Sequence, residues 1–169
     1  DLAERARNAD CEVVFDPNAR PELWPEGRFA DALAELLDHA TVVKATPEDL
    51  ERAGFADHCP EGLAEAVCDR GPHTALLTLG NAGSYAHATP EAPWGAGSAS
   101  HTGFDVNVTD TTGAGDAFTA GSLAAFTAGV ETLSEVLSFA NAVAALTTTA
   151  DGAMTALPDR ESVERLRES

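Results

Sequence analysis

Lysine is almost absent from this chain. Lys44 is the single lysine among ten basic residues, which face 28 acidic ones for a net charge of −18 over 169 residues. Nothing in it is basic enough to match a nucleic-acid backbone, which excludes nucleic acid as a partner. No apolar run approaches the length of a membrane span, so no membrane partner is expected. No secretory leader is expected, and a cytoplasmic protein is expected. The three cysteines, Cys11, Cys59 and Cys68, are odd in number and form no C-x-x-C pair. That excludes a disulfide framework and leaves buried free thiols as the expectation. The five histidines show no metal-ligand spacing, so no zinc site is expected. The phosphate-loop pattern G-x-x-x-x-G-K-[ST] is missing, which excludes a P-loop enzyme.

What is present is the composition of one folded domain. Hydrophobic residues make up 44% of the chain, enough at this length to bury a core. The carboxylates are spread along the chain and form no single block. A net −18 works against compaction by self-repulsion, and that repulsion fades when the Debye length falls to roughly 3 Å near 1 M salt. Adaptation to high salt is therefore expected, with an ordinary acidic protein as the alternative.

The order of elements is that of an α/β domain. Leu2–Ala9 reads as the end of a helix and Cys11–Phe15 as a strand stopped by Asp16-Pro17. A loop follows through Asn18, Arg20, Pro21, Trp24, Pro25 and Gly27. Phe29–His39 has helical apolar spacing, and Thr41–Ala45 is a short strand. Pro47 suits a first helical position, and Gly54 stops that helix. A helix over Pro60–Asp69 precedes the apolar run Thr74–Leu79, the pattern of a buried parallel strand. Gly80–Gly83 is a turn, and Ser84–Ala88 returns as a strand. Thr89–Gly103 reads as loop and Phe104–Val108 as a strand. Helices are expected from about Ala114 to Gly129, over Leu133–Thr149 and over Pro158–Glu168. Strands alternating with helices predict a mostly parallel sheet with helices on both faces.

The strongest chemical signal is Asp110-Thr-Thr-Gly-Ala-Gly-Asp116. Gly113 and Gly115 let the backbone turn so that successive N–H groups face one concavity, and the helix beginning near Ala114 adds its positive end. That makes an anion site without a basic side chain. A carboxylate beside it, Asp116, hinders simple phosphate binding by repulsion. It suits a general base that takes a proton from an attacking hydroxyl while the backbone holds the transferring phosphoryl group. The alternative is a glycine turn in which Asp116 caps the helix.

The run Asp110–Gly121 resembles the second signature of the ribokinase-like (phosphofructokinase-B) carbohydrate kinases. Phe15-Asp-Pro-Asn-Ala-Arg-Pro-Glu-Leu-Trp24 resembles the Asp-Pro-Asn-x-Arg…Trp segment of the fructokinase and 2-keto-3-deoxygluconate kinase branch. Thr78–Gly83 is similar to the nucleotide-loop strand end, and Phe139–Ala142 with Asp151–Ala153 to the nucleotide-side helix and its exit. The four segments fall in family order. They cover only the C-terminal, ATP-binding half of such a kinase, without the N-terminal half and the lid, and the chain opens on Asp1 rather than methionine. A C-terminal portion of a ribokinase-like three-layer sandwich is expected over residues 1–169, from a parent that is a homo-oligomer.

The resemblance implies ATP-dependent phosphorylation of a sugar or sugar-acid hydroxyl. It implies Asp116 as base, an anion hole from the backbone of Gly113, Ala114, Gly115 and Asp116, and nucleotide contacts from Thr78, Gly80, Gly83 and Asn141. Asp110 and Thr112 match positions that hold a monovalent cation, K⁺, in some members; a turn-forming role for Asp110 is the alternative. Glu48 matches an acid that organises Mg²⁺ through water, although Ala45 stands where that segment carries asparagine. A helix-start glutamate is its alternative. Asp16, Asn18 and Arg20 follow a strand end, where open α/β sheets place ligands, and are candidate substrate residues. Arg20 suits an anionic group or a structural ion pair equally. Trp24 and Trp94 are expected to anchor loops and Lys44 to be solvated. Ser122 replaces an apolar residue of the pattern. A catalytically incomplete nucleotide-binding piece and a nucleoside kinase of the same superfamily are the other readings.

Overall fold

The computed structural model describes residues 2–20, 23–25 and 28–169. Asp1, and Pro21, Glu22 and Gly27 of the expected loop, lie outside the described residues. The chain divides into two compact units, residues 1–79 with 85–98 and residues 80–84 with 99–169.

The first unit is built on parallel strands. β1 (Val14–Phe15), β2 (Val42–Ala45) and β3 (Thr74–Thr78) pair in parallel, with Val14 opposite Val42 and Val42 opposite Thr74. Parallel neighbours need long crossovers. α2 (Arg28–Leu37) supplies the first, and α3 (Pro47–Arg52) with α4 (Pro60–Cys68) the second. α1 (Leu2–Arg7) precedes them. Val43 and Ala45 of β2 and Ala75 and Leu77 of β3 pack with Leu33, Leu37, Leu50, Leu63 and Val67 from the helices. Alternation puts Val42, Lys44 and Leu76 on the opposite side of the pleat, and these are buried too.

α3 starts where its sequence says it should. Thr46 and Asp49 form a reciprocal capping box, with Pro47 at the first turn. The sheet order is β1-β2-β3-β4-β5, with β4 spanning Ser84–Ala88 and β5 Gly97–His101. Only five residues separate β3 from β4, too few for a crossover, and Thr89 N–H donates to His73 O at 2.9 Å across their far end. The two therefore form a hairpin over a 3-10 turn at Gly80–Ala82.

The second unit contains α5 (Ala114–Thr127), α6 (Leu133–Thr147) and α7 (Arg160–Arg167). α5 and α6 lie close because Gly121 has no side chain; a Cβ there would stand 2.9 Å from Ala140 Cα. Ser122 is buried, and its hydroxyl donates to Phe118 O at 2.9 Å, so the polar group is satisfied within its own helix. The small core of the unit is Ala117, Ala125, Val136, Ala142, Val143 and Val163, with Phe139 beneath the guanidinium groups of Arg160 and Arg167.

Three expectations need correction. Residues 97–101 form β5 where a loop was expected, because β4 supplies the ladder that Gly-Ser-Ala-Ser-His does not announce. Phe104–Val108 forms no ladder; it is an irregular strap. Cys11 and Cys59 are exposed, and only Cys68 is partly buried, where desolvation and then the neighbouring Asp69 push its thiol up to about 12. Among the described residues no helix is long and apolar enough to cross a membrane.

Candidate functional site

The segment leading into α5 is sewn to the exit of α6. Thr109 N–H donates to Thr148 O at 2.7 Å, and the Thr109 hydroxyl to Thr149 O at 3.1 Å. Asp110 clasps both sides: one carboxylate oxygen accepts Thr112 N–H at 2.9 Å and the other accepts Gly152 N–H at 3.1 Å. The Thr112 side chain, then the N–H groups of Thr112 and Gly152, hold the Asp110 carboxyl below the usual carboxylate range.

Gly113 is the N-cap of α5, at φ +81° and ψ 0°, and offers no side-chain cap. A Cβ there would also lie 2.5 Å from Ala153 Cβ, so both the backbone angle and the space require glycine. Ala114 N–H turns back to Thr111 O at 3.2 Å, and Ala117 N–H reaches Gly113 O at 2.8 Å. The N–H groups of Gly113, Gly115 and Asp116 have no acceptor among the described residues. They are the orphan donors of a helix start, without a capping side chain. Asp116 is exposed in that first turn, with no hydrogen bond or ion pair among the described residues, so it does not cap the helix.

Next to this turn lies a cavity of about 590 Å³. Thr111 and Ala114 line one part of it, Asn141, Ala144, Ala145 and Thr148 of α6 another, and Gly80 and Asn81 a third. The strap contributes Phe104, Asp105, Val106 and Val108. Asn141 is buried, and its Nδ2 donates to Ser84 Oγ at 2.6 Å and Leu137 O at 2.7 Å.

Of the expected nucleotide residues, Gly80 and Asn141 line this cavity, and so does Ala114 of the expected anion hole. Gly83 is not itself a lining residue, but at φ +88° it abuts the backbone of Thr102 and Gly103, which do line the cavity, so closely that a Cβ would collide with His101 O. Thr78 ends β3 in the first unit and is not among the lining residues. The strap residues and Asn81 were not singled out from sequence. Their signal was the Phe-x-Val-x-Val alternation, which marks a wall here and not a ladder.

The expected substrate segment belongs to the first unit. Asp16 accepts Lys44 Nζ at 3.0 Å and Asn18 N–H at 3.2 Å. Lys44 is buried, not solvated. Asn18 sits at φ +42°, an angle asparagine tolerates. Arg20 is exposed, and its guanidinium touches Ala19 O at 3.3 Å. Glu48 is exposed in the first turn of α3, while its neighbour Asp49 is buried and accepts Ala19 N–H at 2.9 Å. Asp49 was missed in the sequence, although Thr46-x-x-Asp49 carries the capping-box pattern. Trp24 packs edge-on against Phe29, and Trp94 Nε1 donates to Thr74 Oγ1 at 3.1 Å, both as loop anchors.

Glu48 is a lone carboxylate, and no group of three or more His, Cys, Asp or Glu residues is placed to hold a metal among the described residues. A single carboxylate fits Mg²⁺, which keeps several waters and is bound mainly through substrate phosphates. The Asp110 carboxylate keeps free lone pairs beyond its two hydrogen bonds, a donor compatible with a monovalent cation.

Residues 1–160 match the model of the pfkB family carbohydrate kinases. Fructokinases of Salmonella thompson and Salmonella typhimurium are each 39% identical over 96% of the chain, which covers 73% of the first and 53% of the second. The aminoimidazole riboside kinase of Salmonella enterica, solved with aminoimidazole riboside and an ATP analog, aligns with a TM-score of 0.83 at 30% identity, over 99% of this chain and 56% of that one. The fructokinase of Vibrio cholerae, solved with fructose, ADP and calcium, aligns with a TM-score of 0.79 at 31% identity, over 97% and 53%. The chain thus spans about half the length of most of the relatives it matches. Its ribokinase-like α/β fold and its motifs agree, and the chain belongs to the pfkB family of carbohydrate kinases.

Proposed function

We propose that this chain is the C-terminal, ATP-handling part of a kinase that transfers the γ-phosphoryl group of ATP to a hydroxyl of a sugar or sugar acid, fructose and 2-keto-3-deoxygluconate being the leading acceptors. The observation that carries the reading is the start of α5. Its donors at Gly113, Gly115 and Asp116 lack acceptors, and the carboxylate of Asp116 stands unpaired in the same turn. Asp116 takes the proton of the acceptor hydroxyl as the new P–O bond forms and the bond to the ADP oxygen breaks. The free N–H groups hold the phosphoryl oxygens, and the adjoining cavity seats the nucleoside beside Asn141, with Thr78, Gly80 and Gly83 shaping the phosphate side. Glu48 holds Mg²⁺ through water. The metal supplies charge neutralisation on the phosphates. Asp110 and Thr112 hold K⁺ at the clasp. Asp16, Asn18 and Arg20 meet the acceptor.

In the enzyme, Asp116→Asn is expected to lower kcat by about 10²- to 10⁴-fold with little change in ATP affinity, the usual range for a general base. A kcat within a few-fold of wild type sinks the assignment. A nucleoside acceptor is the second reading, favoured by the likeness to the riboside kinase. Turnover with ribosides and none with fructose would select it. ATP binding by the 169-residue chain without acceptor-dependent turnover would mark it as a nucleotide-binding piece.

A further inference from the structure

The strap beside the cavity is tied down at one point. Over residues 102–108 a single hydrogen bond is made among the described residues, from Gly103 N–H to His101 Nδ1 at 3.0 Å. The next backbone bond comes at Thr109, which belongs to the clasp with α6. His101 is the last residue of β5, and the chain turns at Gly103, φ +80°. The His101 ring packs against the Phe104 ring, 4.9 Å between centroids. Thr102, Gly103 and Phe104 line the cavity, so this one bond sets where that wall begins.

The acceptor in this bond titrates. A backbone N–H can only donate, so Nδ1 carries no proton and the ring proton sits on Nε2. Protonation places a second donor on Nδ1, facing the Gly103 N–H. Two donors cannot share that contact, so the ring turns away or the strap moves. Nothing nearby rewards the new charge. No carboxylate stands within ion-pair distance of the ring among the described residues. The charge that faces it is Arg167 of α7, itself paired with Glu164 at 2.7 Å, and the strap's own carboxylate, Asp105, is exposed. Burial first and Arg167 second hold the imidazole below its ordinary value of 6.5. The bond therefore contributes fully above that value and is lost as pH falls through the folded one.

We infer that His101 is a positioning residue for the ligand of the cavity: its neutral imidazole ties the strap through Gly103, and a proton on Nδ1 releases that wall, so ligand binding and His101 protonation oppose each other. The choice of a nucleoside as the ligand rests on the kinase reading; the tether does not. By linkage, the factor by which the proton weakens the ligand is the factor by which the ligand weakens the proton.

The test follows Gly103 amide exchange and the His101 Cε1–H resonance in the protein. Adenosine is the probe, because no group on it titrates across the histidine range. Gly103 is expected to be protected, relative to its intrinsic exchange rate, at about pH 7.5 and to lose roughly tenfold of that protection at about pH 5. Adenosine should bind more weakly at the lower pH, by at most about tenfold per pH unit, the limit for one proton. Bound adenosine should move the His101 midpoint down. His101→Asn supplies an acceptor in place of Nδ1 that does not titrate, so protection and binding should stay level with pH. His101→Phe keeps a ring against Phe104 and removes the acceptor, so protection should be lost at both pH values. Should a variant fail to fold, the wild-type Cε1–H titration with and without adenosine is the second readout. The inference is overturned if Gly103 protection is the same at both pH values, if His101→Phe keeps it, if His101→Asn is as pH-dependent as the wild type, or if bound adenosine leaves the His101 midpoint unmoved. Adenosine that binds at neither pH, with Gly103 protection still following His101, would sink the nucleoside reading of the cavity and leave the tether standing.

Discussion

Asn141 donates to Ser84 Oγ at 2.6 Å and to Leu137 O at 2.7 Å. A carbonyl cannot donate, so the bond to Leu137 O fixes which end of the amide is nitrogen. The other end, Oδ1, has no donor, and among the described residues no buried side-chain oxygen lacks a partner. This oxygen is therefore reached from the cavity that Asn141 lines. Asn141→Ala should destabilise the protein by about 2 kcal/mol, the range for leaving a buried polar partner unsatisfied. A double-mutant cycle with Ser84→Ala in chemical denaturation should show the two losses to be less than additive.

Lys44 and Asp16 make a second test. Their side chains are 6% and 19% exposed, and Lys44 lies on the buried side of β2. Lys44→Met leaves the Asp16 carboxylate without its counter-charge and should cost about 3 kcal/mol in urea unfolding. Asp16→Asn in the same background should recover part of that loss, because the uncompensated charge is gone.

The Asp110 clasp gives a pH dependence of known sign. Its folded carboxyl is held below the ordinary value of 3.8, so its stabilisation is fully present above that value. It is lost as pH falls through the folded value. Amide exchange at Gly152 and Thr112 should therefore be protected, relative to its intrinsic rate, at neutral pH, and that protection should fall only in acid below about pH 4. Equal protection at both pH values would show that the clasp does not depend on the charge.

Salt should stabilise this chain. The thermal midpoint is expected to climb between low and multimolar KCl as screening relieves the repulsion of a net −18. A flat midpoint would mean that the acidic surface does not repel strongly enough to matter.

The local geometry of the α5 start was legible in the sequence because it lies within one short segment. The turn, the free N–H groups and Asp116 all lie within seven consecutive residues, 110–116. The Asp110 and Gly113 positions then show why the same letters are needed, one as a two-sided clasp and one as a turn against Ala153. What spacing could not reveal was partnership across distance. Lys44 is 28 residues from Asp16, and Asp49 is 30 from Ala19, so neither contact leaves a periodic trace. β5 was hidden for a different reason. Gly97–His101 has no apolar face and is a strand only because β4 stands beside it. Phe104–Val108 has the alternation of a strand, yet its apolar side chains face a cavity. Alternation records one-sided burial, not hydrogen bonding.

The strap has a practical consequence. Residues 104–108 make no backbone hydrogen bonds among the described residues, while Phe104, Val106 and Val108 line the cavity. Trimming or enlarging these side chains alters no ladder. The pocket can therefore be re-cut by substitution at 106 and 108, whereas Phe104 also packs against the core of its unit; on the proposed seating of the nucleoside, Val106→Gly is the place to admit an analogue with a bulky base substituent. The strap is thus a wall of the cavity whose side chains at 106 and 108 can be exchanged without breaking a backbone hydrogen bond.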